Sequence, residues 1–506
     1  MQLKIYQQNT LSVLRRFLEK CRISGAENAY NKLTNEHELK ERLGSLKSLS
    51  YVHWDSIPDT PRVCLKVPTG GGKTILAAHA VKIAAETVLE KEYPVVLWFC
   101  PSDTIRRQTA EALKNHRHPY RQTLDEQFGI EHVRVFDIDE KFNIMPQDIA
   151  GKCCIIVSTI QAFRQSKTDK YKVYAHHENL ENHFRVIPKP NDGKFSFANL
   201  LAHHRPVMIV DEAHNVLSDL SKETAGRLNP AVILEWTATP QMNNNTLYNV
   251  HASELKDEEM IKLPIALVEN AGWEQAVDQA IIKRKELEQT AEKENENNYL
   301  RPLLLFQAQD KNGEVNVAVL KDYLLNTANI PEHEIAVVTG EQKELDGVNI
   351  AEKNCPVRYV ITVEALKEGW DCPFAYVLCS LANVKSDTAV LQLLGRVMRM
   401  PYAAKRQQKE LNKAYAYVVS KHFGEAAQTL VERLIEKGFE KTEAAAAVET
   451  VLPFSPNGNL YENQVDLETA LAKEIVPPSM MLSGDGRTIT FTPETTDDDI
   501  AEVCRH

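Results

Sequence analysis

Residues 62–74 read Arg62-Val63-Cys64-Leu65-Lys66-Val67-Pro68-Thr69-Gly70-Gly71-Gly72-Lys73-Thr74. An apolar, strand-like run enters three glycines. A Lys-Thr pair leaves them for a helical pattern, Ile75 to Glu90. Glycines let the backbone turn its N–H groups inward around an anion. A lysine at this place reaches the β/γ-phosphates of a nucleotide, and a threonine hydroxyl holds Mg²⁺. The helix that follows adds positive potential at its N-terminus. The stricter Gly-x-x-x-x-Gly-Lys-Thr pattern wants glycine at 67, where this chain has Val67. Thr69, Gly70, Gly71, Gly72, Lys73 and Thr74 are the candidate phosphate-binding residues.

Strand-sized apolar runs recur on either side of this loop. Arg62 to Val67, Val95 to Cys100, Cys153 to Val157, Val207 to Val210 and Ala231 to Leu234 form a first set. Leu303 to Phe306, Ile335 to Val338, Tyr359 to Ile361, Tyr376 to Cys379 and Tyr415 to Val419 form a second. Most lack apolar/polar alternation, as strands buried on both faces of a parallel sheet do. Helical patterns separate them, for example Ile105 to Leu113. Strands alternating with helices predict an α/β fold with two parallel sheets. The expected division is 1–240, a linker at 241–262, 263–425, and an accessory or truncated extension at 426–506. Segments 116–145 and 164–204 read as polar inserts in the first unit.

Directly after Val207 to Val210 comes Asp211-Glu212-Ala213-His214. A carboxylate at the end of a buried strand can hold Mg²⁺ against phosphates, and its neighbour can orient or deprotonate the attacking water. In the second half stands Gln392-Leu393-Leu394-Gly395-Arg396-Val397-Met398-Arg399. Arginines three apart share a helix face. Their planar, permanently charged guanidiniums suit phosphate recognition.

These stretches resemble superfamily-2 helicases of the DEAD/DEAH-box type, whose two RecA-like domains clamp ATP between them. The resemblance covers roughly residues 1–425 and extends to further motifs. Tyr6-Gln7 resembles the upstream motif whose glutamine, here Gln7, reads the adenine edge. Pro101-Ser102 with Arg106, and Ser158-Thr159-Ile160-Gln161, resemble segments that touch a nucleic-acid backbone. Pro101, Arg106, Thr159 and Gln161 are therefore carried over as contact residues. Thr237-Ala238-Thr239-Pro240 resembles the motif that couples the ATP site to the strand-binding face.

The run Lys367-Glu368-Gly369-Trp370-Asp371 points to one branch, the Res subunits of type III restriction enzymes. That resemblance implies Gly369 and Asp371 at the ATP ribose and Thr362 on a strand phosphate. It also implies Lys73, Asp211, Glu212, Gln392, Arg396 and Arg399 as the catalytic set, with Thr74 and Asp211 on Mg²⁺. In that family the Res subunit hydrolyses ATP, moves on duplex DNA, and cuts only with a methyltransferase (Mod) partner. Its members continue into an endonuclease domain with paired carboxylates and a lysine. Residues 425–506 show no Pro-Asp followed by Asp/Glu-x-Lys. The expectation is a DNA motor without a nuclease, working with ATP and Mg²⁺ and with a methyltransferase or separate nuclease as partner. A DEAH-type RNA helicase is the second reading. A truncated, partner-dependent ATP-binding remnant is the third.

Composition narrows the rest. The 506 residues are 43% apolar and 25% charged, which disfavours bulk disorder. Asp plus Glu number 70 against 59 Lys plus Arg, for a net charge of -11, so a basic groove would have to sit on an acidic body. No apolar stretch reaches the roughly 18 residues of a membrane helix. The start Met1-Gln2-Leu3-Lys4 lacks a signal-peptide pattern, so the expected location is cytoplasmic. The nine cysteines are scattered without a Cys-x-x-Cys pair, which disfavours disulfides and structural zinc. His176, His177, His183, His203 and His204 read as solvated.

Overall fold

The computed structural model describes residues 2–48, 50–163, 172–185, 187–188, 190–212, 219–241, 244–294, 299–339, 344–345, 348, 350, 352–363, 372–381, 388–419, 425–436 and 438–451, and short strands at 465–466, 480–482 and 488–491. The motif residues Ala213, His214, Gly369 and Asp371 lie outside the described residues, as does the side chain of Gln392.

Two seven-stranded sheets make the frame. The first holds β1 Arg62–Lys66, β2 Val95–Cys100, β3 Val133–Asp137, β4 Cys153–Thr159, β5 Val207–Asp211, β6 Val232–Thr237 and β7 Thr246–Asn249, in the order β3-β4-β2-β5-β6-β1-β7. The second holds β8 Ile265–Asn270, β9 Leu303–Gln307, β10 Ile335–Val337, β11 Tyr359–Thr362, β12 Ala375–Ser380, β13 Ala414–Val419 and β14 Val448–Val451, in the order β10-β11-β9-β12-β13-β8-β14. Every pairing in both is parallel. Subtracting seven from each label of the second sheet gives 3-4-2-5-6-1-7, the order of the first. The chain is a structural duplication of one RecA-like α/β unit. Beyond it, β15 Val465–Asp466, β16 Met480–Leu482 and β17 Thr488–Phe491 form a small antiparallel sheet.

The central strands are apolar along their whole length because helices cover both faces. All six residues of β2, Val-Val-Leu-Trp-Phe-Cys, are buried. The helices of the first unit are α1 Ile5–Ser24, α2 Ala26–Thr34, α3 His37–Leu43, α4 Lys73–Ala84, α5 Asp103–Lys114, α6 Pro119–Phe128, α7 Pro146–Ala150, α8 Phe197–His204, α9 Asp219–Leu228 and α10 Ala252–Asp257. Those of the second are α11 Trp273–Lys293, α12 Val317–Asp322, α13 Thr388–Val397, α14 Glu425–Glu436 and α15 Lys441–Ala446. α4 is apolar on most of its surface because it lies between the sheet and α1. α1 in turn buries Tyr6, Leu14, Phe17 and Leu18. No helix among the described residues is long and apolar enough to cross a membrane.

Four sequence expectations change here. The 116–145 segment is no insert: it supplies α6 and β3, the edge strand paired with β4. Its Arg121 is buried and bonded to Asp125 and to the Leu113 and Val133 carbonyls. In the 164–204 segment, Leu180, Phe184, Phe197 and Leu201 pack into a cluster with Phe99 and Phe163. There His183 is 3% exposed and pairs with the Ile144 carbonyl at 2.8 Å, so it is a core residue and not a solvated one. The 241–262 stretch carries β7, which completes the first sheet, and α10. The second sheet continues past 425: β14 flanks β8 as β7 flanks β1.

Candidate functional site

Parallel α/β sheets place ligands at the carboxyl ends of their strands. The candidate residues cluster there. β1 ends at Lys66, and the loop Val67–Gly72 carries the chain into α4. Gly70 and Gly72 adopt φ of 88° and 78°, a region open to glycine at little cost. A Cβ on Gly71 would lie 2.5 Å from Val67 Cγ1, and one on Gly72 2.8 Å from Gln7 Nε2. α4 then begins at Lys73 with no side chain capping it. Uncapped N–H groups at a helix start, behind a loop that admits only glycine, form a cradle shaped for an anion.

β5 delivers the acidic pair. Asp211 is its last residue, and Glu212 follows at φ 50°, a left-handed conformation uncommon outside glycine and asparagine. The turn aims Glu212 at the loop, where its Oε1 lies 2.8 Å from Lys73 Nζ. The Glu212 N–H donates to Asp211 Oδ1 at 3.0 Å. Burial, with the Glu212 carboxylate beside it, pushes the Asp211 pKa up to about 7, against the pull of Lys73 and that N–H. Two acidic side chains and one ammonium thus share a small space, and a divalent cation would draw Asp211 back to the charged form. Among the described residues no cluster of three His, Cys, Asp or Glu side chains exists to cage a metal. One carboxylate and one hydroxyl do fit Mg²⁺, which takes few protein ligands and completes its shell with phosphate oxygens and water.

The second lobe closes the cleft. A Cβ on Gly395, near the end of α13, would sit 3.6 Å from Thr69 Cγ2. The residues between the lobes follow the same line: a Cβ on Gly70 would touch Ile261 at 3.0 Å, and Ile261 bridges to Arg399 by backbone pairing. Lys262 N–H donates to the Met398 carbonyl at 2.6 Å, and Met400 N–H to the Met260 carbonyl at 3.0 Å. Arg396 is buried and Arg399 half-buried on this turn. In the second lobe the equivalents of β1 and α4 are β8 and α11, and the connection between them, Ala271-Gly272, has neither the three glycines nor the lysine of the first.

Two expected roles meet a different geometry. Gln7 is fully buried, its Oε1 accepting from Lys4 N–H at 3.0 Å and its Nε2 donating to Gly71 O at 3.4 Å. It faces the loop and does not present its amide to a base. Tyr6, which the sequence reading passes over, holds the same carbonyl more tightly, its hydroxyl donating to Gly71 O at 2.8 Å. Arg106 is 0% exposed, and its guanidinium is held by Asp103, Asp137 and Asp139. A side chain enclosed by three carboxylates is not offered to a nucleic-acid backbone. The other proposed contacts sit at equivalent places. Thr159 ends β4 and Thr362 ends β11, the fourth strand of each unit, and both are buried. Gln161 is exposed, and Pro101 follows β2 half-buried.

Residues 1–242 match the model of the ResIII family, described as "Type III restriction enzyme, res subunit". No curated protein matches the chain. Solved structures similar to it include an S. cerevisiae Dbp5 variant bound to a Gle1 variant and IP6, at 15% identity over 85% of this chain and 95% of that one, TM-score 0.42. Another is the ATP-dependent Type ISP restriction-modification enzyme LlaBIII bound to DNA, at 11% identity over 77% of this chain and 30% of that one, TM-score 0.41. A third is a fragment assigned as an HsdR subunit of a type I restriction enzyme from Vibrio vulnificus, at 13% identity over 77% of this chain and 64% of that one, TM-score 0.40.

Proposed function

We propose that this chain is an ATP-driven motor of the superfamily-2 helicase type that moves on duplex DNA, as a Res-like subunit of a restriction system does. The observation that carries the motor reading is the closure at one point of three elements. α4 starts at Lys73, the turn after β5 sets Glu212 on that lysine at 2.8 Å, and the α13 glycine Gly395 lies against Thr69.

ATP is the substrate in this reading. Backbone N–H groups at Gly70 to Thr74 wrap its phosphates, and Lys73 leaves Glu212 for a phosphate oxygen. Thr74 and Asp211 would hold Mg²⁺, which neutralises charge on the phosphate oxygens. Glu212, released from Lys73, orients and deprotonates the attacking water. Arg396 and Arg399 reach across from the second lobe to the charge that develops on the transferred phosphoryl group. A finger of this kind is worth about 10³ to 10⁵ in rate in enzymes where it has been measured. Gln392, Gly369 and Asp371 are assigned to the same cleft by motif alone. Because the lysine and the arginines belong to different lobes, nucleotide favours the closed state and hydrolysis releases it. Thr159 and Thr362, one on each lobe, then take up a strand alternately. Gln161 and Pro101 supply sequence-independent contacts beside them.

The test is steady-state ATP hydrolysis by the purified chain with no nucleic acid, duplex DNA, single-stranded DNA or RNA, with Lys73→Ala as control. Stimulation by duplex DNA that the variant loses supports the reading. Stronger stimulation by RNA moves the chain to the DEAH-type RNA helicases. Turnover appearing only with an added methyltransferase or nuclease subunit makes it a partner-dependent motor.

A further inference from the structure

The sequence predicts an accessory extension at 426–506; residues 425–451 take a different place. They instead form a second connection between the lobes, parallel to the covalent one. On the second-lobe side, β14 pairs with β8 over four residues, Val448 with Ile265 through Val451 with Val268. The Ile265 N–H also donates to the Ala447 carbonyl at 2.7 Å. On the first-lobe side, Glu443 accepts from the N–H groups of Ala252 and Ser253 at 3.3 and 3.0 Å and from the Ser253 hydroxyl at 2.9 Å. These groups open α10. Glu440 stands 3.1 Å from His251 Nδ1 and accepts from Asn249 Nδ2 at 3.2 Å.

A third contact reaches the coupling motif itself. α14 ends in a Schellman turn, with Gly438 N–H on the Ile435 carbonyl at 2.9 Å and Phe439 N–H on the Leu434 carbonyl at 3.1 Å. Gly438 takes φ 97° and lies so close to Ala238 that a Cβ there would collide with the Ala238 carbonyl oxygen. Ala238 sits in the turn after β6, where Thr239 N–H donates to the Thr237 hydroxyl at 3.1 Å. Leu434 and Phe439 then line a narrow cleft with Thr69, Leu394 and Gly395. One surface of this segment therefore touches the coupling turn and the phosphate loop, while its end is a strand of the other lobe.

A single flexible linker leaves two lobes free to rotate in any direction. A second anchor beside it defines an axis, and only rotation about that axis remains easy. We propose that residues 425–451 are a hinge brace, with Glu443 as its positioning residue: they confine the lobes to the one closing motion that brings α13 onto the phosphate loop. The proposal rests on the motor reading for its kinetic consequence but not for its mechanical one. Misplacement of a catalytic group by about 1 Å costs about 10² in rate. Loosening the brace should therefore slow turnover without weakening nucleotide binding, whose groups belong to the first lobe.

The experiment uses the full chain with Cys355→Ser and Cys504→Ser and one labelling cysteine in each lobe, Glu111→Cys and Lys285→Cys, both at exposed positions. Interlobe distance distributions, nucleotide Kd and kcat are measured for this parent, Glu443→Ala, Ser253→Ala and Glu443→Gln. The expected result for Glu443→Ala is a broader distribution without nucleotide and kcat lower by roughly ten- to a hundredfold. Its nucleotide Kd should stay within about threefold of the parent. Ser253→Ala, which removes one of the three bonds, shows the same changes in smaller measure. Glu443→Gln, which keeps one acceptor oxygen for Ser253 but turns an amide NH2 toward the Ala252 N–H, lies between the parent and Glu443→Ala. An unchanged distribution in Glu443→Ala overturns the brace. Loss of nucleotide affinity together with a lower melting midpoint overturns the positioning role in favour of general stability. If the parent hydrolyses nothing alone or with an added methyltransferase or nuclease subunit, the motor reading fails, and the width of the distribution still decides the brace.

Discussion

Lys73 Nζ lies 2.8 Å from Glu212 Oε1, so the phosphate loop's cation and the carboxylate after β5 hold each other. Both side chains are largely shielded from water, which makes the pair matter more than a surface ion pair would. In the proposed function this pair holds the lysine beside the loop until nucleotide binds. Lys73→Ala should abolish hydrolysis, by about 10³ or more, since an ammonium on the transferring phosphates is lost. The fold should persist, because the change deletes no core contact. ATP turnover together with a circular-dichroism melt checks both halves of this expectation.

The contact of Gly395 with Thr69 places the arginine-bearing turn of α13 against the phosphate loop. Arg399→Ala and Arg396→Ala should each lower kcat by about 10³ while changing nucleotide Kd by less than about tenfold, because their gain is realised in the transition state. Equal losses in affinity and kcat would mean that they bind ground-state phosphate instead. Equilibrium binding of a fluorescent nucleotide beside initial rates separates the two.

The residues that were legible in sequence share a physical cause. β1, β2, β4, β5 and β6 are buried on both faces, so each carries an apolar run without alternation, and three consecutive glycines before a Lys-Thr pair mark the loop that follows β1. The residues that were missed lack that cause. β3, Val-Arg-Val-Phe-Asp, is an edge strand with Arg134 exposed, and its polar letters read as loop. β7 and β14 are four-residue edges, and three of the β14 residues face solvent. Gly438 and Ala238 are 200 positions apart, and nothing local to either announces the other. Arg106 carried a motif letter, but its three carboxylate partners come from two separate turns.

Arg106 supports a prediction opposite in kind to the one its motif suggests. Its guanidinium is buried among Asp103, Asp137 and Asp139. Arg106→Ala would leave the Asp137 carboxylate, the one largely buried partner, without its counterion, at a cost of about 3 kcal/mol. Arg106→Lys should rescue only part, since one ammonium cannot bond three acids at once. Denaturant melts should record the loss. The nucleic-acid stimulation of whatever fraction stays folded should be unchanged.

Acid sensitivity should arise from the histidines of the 172–204 region. Burial holds His204 down to about 4, assisted by the nearby His203, Lys91 and His183, and burial lowers His183 against its bond to the Ile144 carbonyl. In the unfolded chain both would titrate near 6.5. As pH falls the unfolded state takes up protons first, so stability is present above about 6.5 and declines progressively toward 4. Both histidines act in the same direction, and the His204 share is reduced by its partial exposure to solvent. Thermal midpoints from pH 7 to 4.5 check this, and His183→Asn and His204→Asn should each flatten the decline.

Tyr6 controls the shape of the cradle without touching anything in it. Its hydroxyl donates to the Gly71 carbonyl at 2.8 Å, and Gln7 Nε2 adds a longer bond of 3.4 Å to the same oxygen. A trans peptide is planar, with its C=O and N–H on opposite sides. Pinning the Gly71 carbonyl toward α1 therefore turns the Gly72 N–H the other way, into the loop. Tyr6→Phe keeps the ring, which is buried against the core, and removes only the hydroxyl. A neutral hydrogen bond of this kind is worth about 0.5–1.5 kcal/mol, so KM for ATP should rise about three- to tenfold. kcat at saturating ATP should stay within about twofold, since the N–H groups bind the phosphates in ground and transition states alike. A fall in kcat with KM unmoved would instead place Tyr6 on the path that aligns Lys73, and would shift its role from shaping the cradle to setting the lysine.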